Sequence, residues 1–183
     1  MTSDDLARFL GDAWSVLERG VADRRSPARH PTLATVSPDG LPQARTVVMR
    51  AVQRDCATVE VHSDARADKV GALQANPNAA VHIWHPRQKL QVRLACRVSI
   101  SLGPEVEDRW QRVPEASRVA YGATPAPGTP IQHPQAYEVH PELDTFAVLS
   151  CQIDEIDLLH LGAFHRRARF NRSDNWAGEW RVP

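Results

Sequence analysis

No apolar run in this sequence approaches the about 20 residues that a membrane-crossing helix needs, so no membrane partner is expected. Cysteine is scarce too. Cys56, Cys96 and Cys151 are odd in number, far apart and outside any CxxC pair. A disulfide framework or zinc site is therefore not expected, and a reducing cytoplasm fits best. Charge of one sign is missing: Lys plus Arg and Asp plus Glu both number 22. Nonspecific nucleic-acid or membrane-surface binders usually carry a basic excess, so neither class is favoured. GxSxG, Walker and Rossmann glycine patterns are absent, which leaves no covalent nucleophile to point to. The acidic opening "MTSDDLARFLGDAW" lacks the apolar core of a secretory leader. No internal repeat is visible.

What remains is an ordinary globular composition over 183 residues, 42% hydrophobic and 24% charged. It is most simply one domain, 1–183. Residues 3–22 read as an amphipathic helix, with Leu6, Phe9, Leu10, Ala13, Trp14 and Leu17 at spacings of three and four and Gly20 as a stop. "ADRRSPARH" reads as a polar linker, and the rest, about 31–183, as the body of the domain. "PTLATV" and "LPQARTVVMRAVQ" flank "SPDG", a hairpin signature. "ATVEVHS" is a third strand, and "ARADKVGALQANP" a helix stopped by Pro77. "AAVHIWH" and "LQVRLACRVSISL" form a second hairpin. A short helix ends at Pro114, and a proline-rich loop spans 121–135. "TFAVLSCQIDEIDLLHL" is one long strand or two with a bend, and a closing hairpin follows. These add up to an antiparallel β-barrel of about six or seven strands with peripheral helices, mainly β in class.

The candidate chemistry is basic. In "PQARTVVMR" an arginine stands at each end of a strand, and strand parity puts Arg45 and Arg50 on opposite faces. They are either solvated or waiting for an anion. In "HSDARADKVGAL", Ser63 or Asp64 could cap a helix, placing Arg66 and Lys69 in its first turn. Cations there oppose the helix dipole by about 0.3–1 kcal/mol each, which a bound phosphate would reverse. The alternative is that Asp64 and Asp68 neutralise them. Gln91 is either an exposed strand residue or a hydrogen-bonding edge for a heterocycle. "HRRARFNR" concentrates arginines near Phe164 and Phe170, a pattern also seen in nucleic-acid binders. His82 and His85 should diverge across a strand, as should His160 and His165. No metal site is expected.

Taken in order, "LATVSPDGLPQARTVVMR", "HSDARADKVGALQANPNAAVHIW", "LQVRLACRV" and the terminal "EWRVP" resemble the pyridoxamine 5′-phosphate oxidase-like FMN-binding split barrels. The resemblance implies a homodimeric split barrel with FMN at the subunit seam. It implies cofactor contacts from Arg45, Thr46, Val47, Val48, Met49 and Arg50. Val61, His62, Ser63, Arg66 and Lys69 would add to these, with one extra residue near Arg66. Gln91 and Arg169 would come from the partner subunit. For a substrate it implies Arg50, Ser117, His165 and Arg167. The last two exchange the residue types of the family's Arg-x-His pair, and Leu159 stands where the family has a tryptophan. The family's substrate-gripping tyrosine and arginine find no counterpart, which suggests a divergent branch rather than a vitamin B6 oxidase. The expected function is an FMN-dependent oxidoreductase acting on an unknown small molecule. A non-catalytic flavin carrier or sensor is the alternative, and a haem- or nucleic-acid-binding barrel ranks behind both.

Overall fold

The structure, a computed structural model, describes residues 3–183. Helix α1, Ser3–Ala22, buries Phe9, Ala13, Trp14, Val16 and Leu17. Full burial of side chains such as Phe9, Val16 and Leu17 contributes about 1.5–3 kcal/mol each. Gly20 does not stop this helix. A Cβ there would meet the backbone of Ala28 at 2.9 Å, so glycine lets the following segment fold back against α1.

Strands β1, Thr32–Val36, and β2, Pro42–Thr46, pair across the expected turn, where Gly40 takes φ +85° and donates to the Ser37 carbonyl. The long strand expected from Leu41 to Gln53 is broken. After Thr46 the chain leaves β1, and residues from Met49 to Gln53 form β3, which pairs with β4, Thr58–Asp64. Val47 and Val48 make the crossing, with the Val47 amide donating to the Pro31 carbonyl. Arg45 and Arg50 therefore occupy different strands with different neighbours. Helix α2 also starts later than expected and runs Asp68–Ala75. Ser63 and Asp64 lie in β4, Arg66 lies in the turn between, and no side chain caps the helix.

Strands β5, Asn78–His85, and β6, Leu90–Leu102, form the second hairpin. Beyond β6 come α3, Glu107–Arg112, and α4, Glu115–Arg118. The proline-rich loop is partly ordered by a small two-stranded sheet, β7, Ala123–Thr124, with β8, Glu138–Val139. Strand β9, Phe146–Leu161, is a single element of 16 residues. It pairs with β6 along nearly its whole length. On its other edge it pairs first with β4 and then, from Glu155 on, with β10, His165–Asn171. A bulge opposite Ala95 and Cys96 marks the change. Strand β11, Glu179–Arg181, completes the closing hairpin.

The main sheet thus has nine strands, more than the six or seven expected, partly because one apparent strand is two. The fold is mostly antiparallel sheet with peripheral helices, as the sequence indicates. Its main core lies between α1 and the sheet, and a smaller cluster of Val106, Trp110, Val113, Tyr121, Phe146 and Val148 lies under α3. Among the described residues, no helix is long and apolar enough to cross a membrane.

Candidate functional site

Two basic cavities flank the point where the chain crosses from β2 to β3. The smaller, about 490 Å³, is lined by Arg45 and Lys69 together with Gln43, Asp68, Pro127 and Gly128. One terminal nitrogen of Arg45 donates to Thr35 Oγ1 at 2.7 Å, and the other to Gln43 Oε1 at 3.0 Å. These neutral acceptors orient the guanidinium without cancelling its charge. Lys69 Nζ donates to Ser63 Oγ at 3.0 Å. Burial pushes the Lys69 pKa down, and the nearby Arg45 adds to this. Burial also lowers Arg45, while Asp68 acts in the opposite sense. Two part-buried cations therefore share one cavity, and each lacks a carboxylate close enough for a salt bridge among the described residues.

Arg66 is placed differently. It forms a two-pronged pair with Asp64, at 3.0 and 2.8 Å, and donates to the Ala123 carbonyl at 2.9 Å. It is not among the residues lining the Arg45–Lys69 cavity. Of the two readings of that segment, neutralisation by Asp64 holds for Arg66, while Lys69 keeps its charge unpaired. Burial opposes ionisation of Asp64, but bonds from Arg66 and from the Gly122 amide outweigh it, and its pKa is lowered. These contacts fasten the start of the proline-rich segment to the end of β4. Further along that segment, Gly128 stands against the Asp68 carboxylate.

The larger cavity, about 800 Å³, lies between the segment after α1 and helices α3 and α4. Arg50 enters it because β3 is bulged: Met49 faces Val61, while Ala51 faces Glu60, leaving Arg50 as the extra residue. Bulges re-aim side chains in this way. Arg50 also approaches the buried Tyr121 hydroxyl, whose pKa burial raises and Arg50 partly restores. On the floor, His62 Nε2 lies 3.0 Å from Glu60 Oε1, and Arg109 lies 3.6 Å from the other carboxylate oxygen. The His62 bond is the main reason the Glu60 pKa is lowered. Ser117 lines the same cavity.

The other expected residues separate from these. Val47, Met49 and Val61 are buried in the core, so only their backbones could meet a ligand; Thr46 is exposed, and Val48 lines the larger cavity. Gln91 and Arg169 lie on β6 and β10 and line neither cavity. Gln91 Oε1 sits 3.4 Å from His82 Nε2. Arg169 lies 3.5 Å from Glu155. His165 is exposed, while Arg167 grips the buried Asp157 with two nitrogens, at 3.1 and 2.8 Å; Arg93 reaches the same carboxylate at 2.8 Å. His82 and His85 diverge: the first is on the open face and the second is buried. Among the described residues no three His, Cys, Asp or Glu side chains gather as a metal site would require. Glu60, Tyr121 and Asp157 were missed by sequence reasoning. Strand parity in "TVEVHSD" puts Glu60 beside His62 and could have found it.

The family model for the pyridoxamine 5′-phosphate oxidase FMN-binding domain matches residues 12–101, a stretch holding Arg45, Arg50, Lys69 and Gln91. The chain belongs to the pyridoxamine 5′-phosphate oxidase-like family. A curated relative, the pyridoxine/pyridoxamine 5′-phosphate oxidase of Pseudomonas putida, is 31% identical over 132 residues, covering 68% of this chain and 60% of its own. The chain spans less than two thirds of the length of the first curated relatives it matches. Among solved structures, a pyridoxamine 5′-phosphate oxidase-related, FMN-binding protein from Nostoc punctiforme superposes with a TM-score of 0.76 at 27% identity, over 94% of this chain and 96% of that one. PhzG from Burkholderia lata, solved with tetrahydrophenazine-1-carboxylic acid, gives 0.73 at 16% identity, over 95% and 91%. At that identity the likeness shows the split-barrel fold of the pyridoxamine 5′-phosphate oxidase-like family and nothing finer. Ser117, His165, Arg167 and Arg169 lie outside the stretch matched by the family model.

Proposed function

We propose that this chain is an FMN-binding flavoprotein that works as an oxidoreductase on a small molecule, as a single unit over 1–183. The observation that carries this reading is the Arg45–Lys69 cavity: two part-buried cations, oriented by neutral partners and, among the described residues, unmatched by any carboxylate salt bridge. Such a pair suits the phosphate end of FMN. Asp68 is the one lining group that opposes an anion, and it offsets part of the positive charge.

Arg45 and Lys69 would hold the phosphate, with Ser63 fixing the lysine. The backbone from Thr46 to Met49 would lie along the flavin where the chain leaves β2. Gln91 and Arg169 line neither cavity of their own chain, so their use as cofactor contacts requires a second copy, and a homodimer is part of the proposal. When bound, FMN supplies hydride transfer, which the protein's side chains do not. The chain's own task is to hold the ring and to position a substrate, for which Arg50 and Ser117 share the larger cavity. A cytoplasmic location is part of the same reading, and the free Cys56, Cys96 and Cys151 support it.

A second reading is a flavin carrier or sensor without turnover. Arg167, expected to hold substrate, is committed to Asp157, and this favours that alternative. The deciding experiment is the visible spectrum of the purified protein, followed by FMN titration. A yellow protein, or saturable FMN uptake, is expected. A colourless protein that takes up no FMN would overturn the proposal.

A further inference from the structure

Of the 22 basic residues only two are lysines, Lys69 and Lys89. Lys89 is exposed in the turn between β5 and β6, whereas Lys69 is half-buried and lines the cavity with Arg45. The difference from arginine is chemical. A guanidinium keeps its proton in proteins, while a desolvated ammonium can shed one and become a nucleophile. The cavity thus holds a side chain with a capacity that its neighbour Arg45 lacks.

The surroundings of Lys69 favour the free amine. Ser63 Oγ donates to the Asp64 carbonyl at 3.0 Å and serves Lys69 Nζ as an acceptor, also at 3.0 Å. Among the described residues this is the one hydrogen bond of an ammonium that has three donors. Burial lowers the Lys69 pKa, Arg45 lowers it further, and Asp64 and Asp68 act the other way without prevailing. A lysine desolvated beside a second cation is an activated nucleophile. Arg45 has a separate use in the same space. Thr35 and Gln43 orient its guanidinium, which leaves it free to hold the acid group of a molecule whose carbonyl meets Lys69. Asp68 offsets part of the positive charge, which suits a single carboxylate better than a polyanion. The cavity, about 490 Å³, has room for a small molecule.

We propose that Lys69 captures small oxo acids: its amine condenses with their aldehyde or ketone carbonyl while Arg45 holds their carboxylate. Lys69 Nζ attacks the carbonyl carbon, and a C=N bond replaces the C=O bond. The oxygen leaves as water with the two amine hydrogens, so the step needs no oxidant or reductant. Capture does not rest on the flavoprotein reading. On that reading the two ligands compete, because a bound phosphate favours the ammonium and fills the space.

Reductive trapping on the full chain, freed of any flavin, tests this. Glyoxylate is the probe and acetaldehyde the uncharged control, each with sodium cyanoborohydride near neutral pH. Peptide mass spectrometry reads the label at Lys69 and at Lys89, which serves as an internal reference. Glyoxylate should label Lys69 well ahead of Lys89. Its preference for Lys69 should exceed that of acetaldehyde by about tenfold, as one charge-assisted bond allows. Arg45→Gln should remove that excess. In the native chain, labelling of Lys69 should level off at a lower pH than labelling of Lys89, a measurement that needs no variant. If glyoxylate labels Lys69 no faster than Lys89, or shows no more preference for it than acetaldehyde does, the proposal fails. Added FMN should protect Lys69. Labelling that is selective yet indifferent to FMN would keep the capture site and count against the flavin assignment alone.

Discussion

Arg45→Ala should weaken FMN binding by about 2 kcal/mol, or about 30-fold in Kd. A hydrogen bond to a charged group contributes about 1.5–3 kcal/mol. The upper end is not reached here, because Lys69 adapts. Its ammonium is disfavoured by burial and by Arg45, so removing Arg45 leaves a better-charged lysine to share the phosphate. The lower end is exceeded because Arg45 has no carboxylate to return to in the free protein. Its bonds are to Thr35, Gln43 and, at 3.4 Å, the Leu33 carbonyl. Thr35 is buried and loses a donor, which should cost about 1 kcal/mol of stability and leave the protein folded. Flavin fluorescence titration gives the Kd, and urea unfolding checks the fold. Arg45→Lys keeps the charge but loses the fork, and should fall between the two. A folded Arg45→Ala protein with an FMN Kd within about twofold of native would refute the phosphate assignment.

Lys69 makes FMN binding pH-dependent. Its pKa lies below the ordinary 10.5 in the free protein, and a bound dianion would raise it, so binding takes up protons and weakens as pH rises through the depressed value. Calorimetry in buffers of different ionisation enthalpy reads this uptake, and Lys69→Met should abolish it. Asp157 is buried with Arg93 and Arg167; burial works against its charge, but those partners prevail and its pKa is lowered. Its contribution to stability is thus present above the unfolded carboxylate pKa and lost as pH falls through the folded one. Asp157→Asn should cost about 2 kcal/mol near neutrality, less than a fully buried pair because both arginines are part-exposed, and the gap to native should narrow below pH 4. Burial pushes the Cys151 thiol up to about 12 and also raises Cys96, whereas Cys56 is exposed. A thiol reagent at pH 8 should therefore titrate one cysteine in the folded protein and three in urea.

The strands and their class were legible because alternation and turn chemistry are local. "SPDG" turned where it should, and "TVEVHSD" buried its valines. The break inside "PQARTVVMR" was not legible. An unbroken run of β-formers gives no sign that its first half pairs with β1 and its second with β4, since the choice rests on partners distant in sequence. The bulge at Arg50 is hidden for the same reason. The start of α2 was misplaced because Asp64 reads as a cap, whereas its carboxylate is taken by Arg66 and the Gly122 amide, a contact 58 residues away in the chain. Lys69 and Arg45 were found because charge beside a turn is a local signal. The arginines at 24 and 29 passed as linker until the fold set them opposite α3.

The fastening of the proline-rich segment by Asp64 and Arg66 bears on time as much as on affinity. Pro127 and Gly128 form part of the wall of the Arg45–Lys69 cavity. Their segment is held at its start by three bonds: Gly122 amide to Asp64, Arg66 to the Ala123 carbonyl, and the His140 amide to the Gly122 carbonyl. If departure of an anion from that cavity requires this segment to lift, those bonds set a floor on its residence time. Loosening them would then speed release and rebinding together. Two proteins with the same cradle and the same equilibrium constant could therefore differ in how long they keep their ligand, through a pair of residues that never touch it.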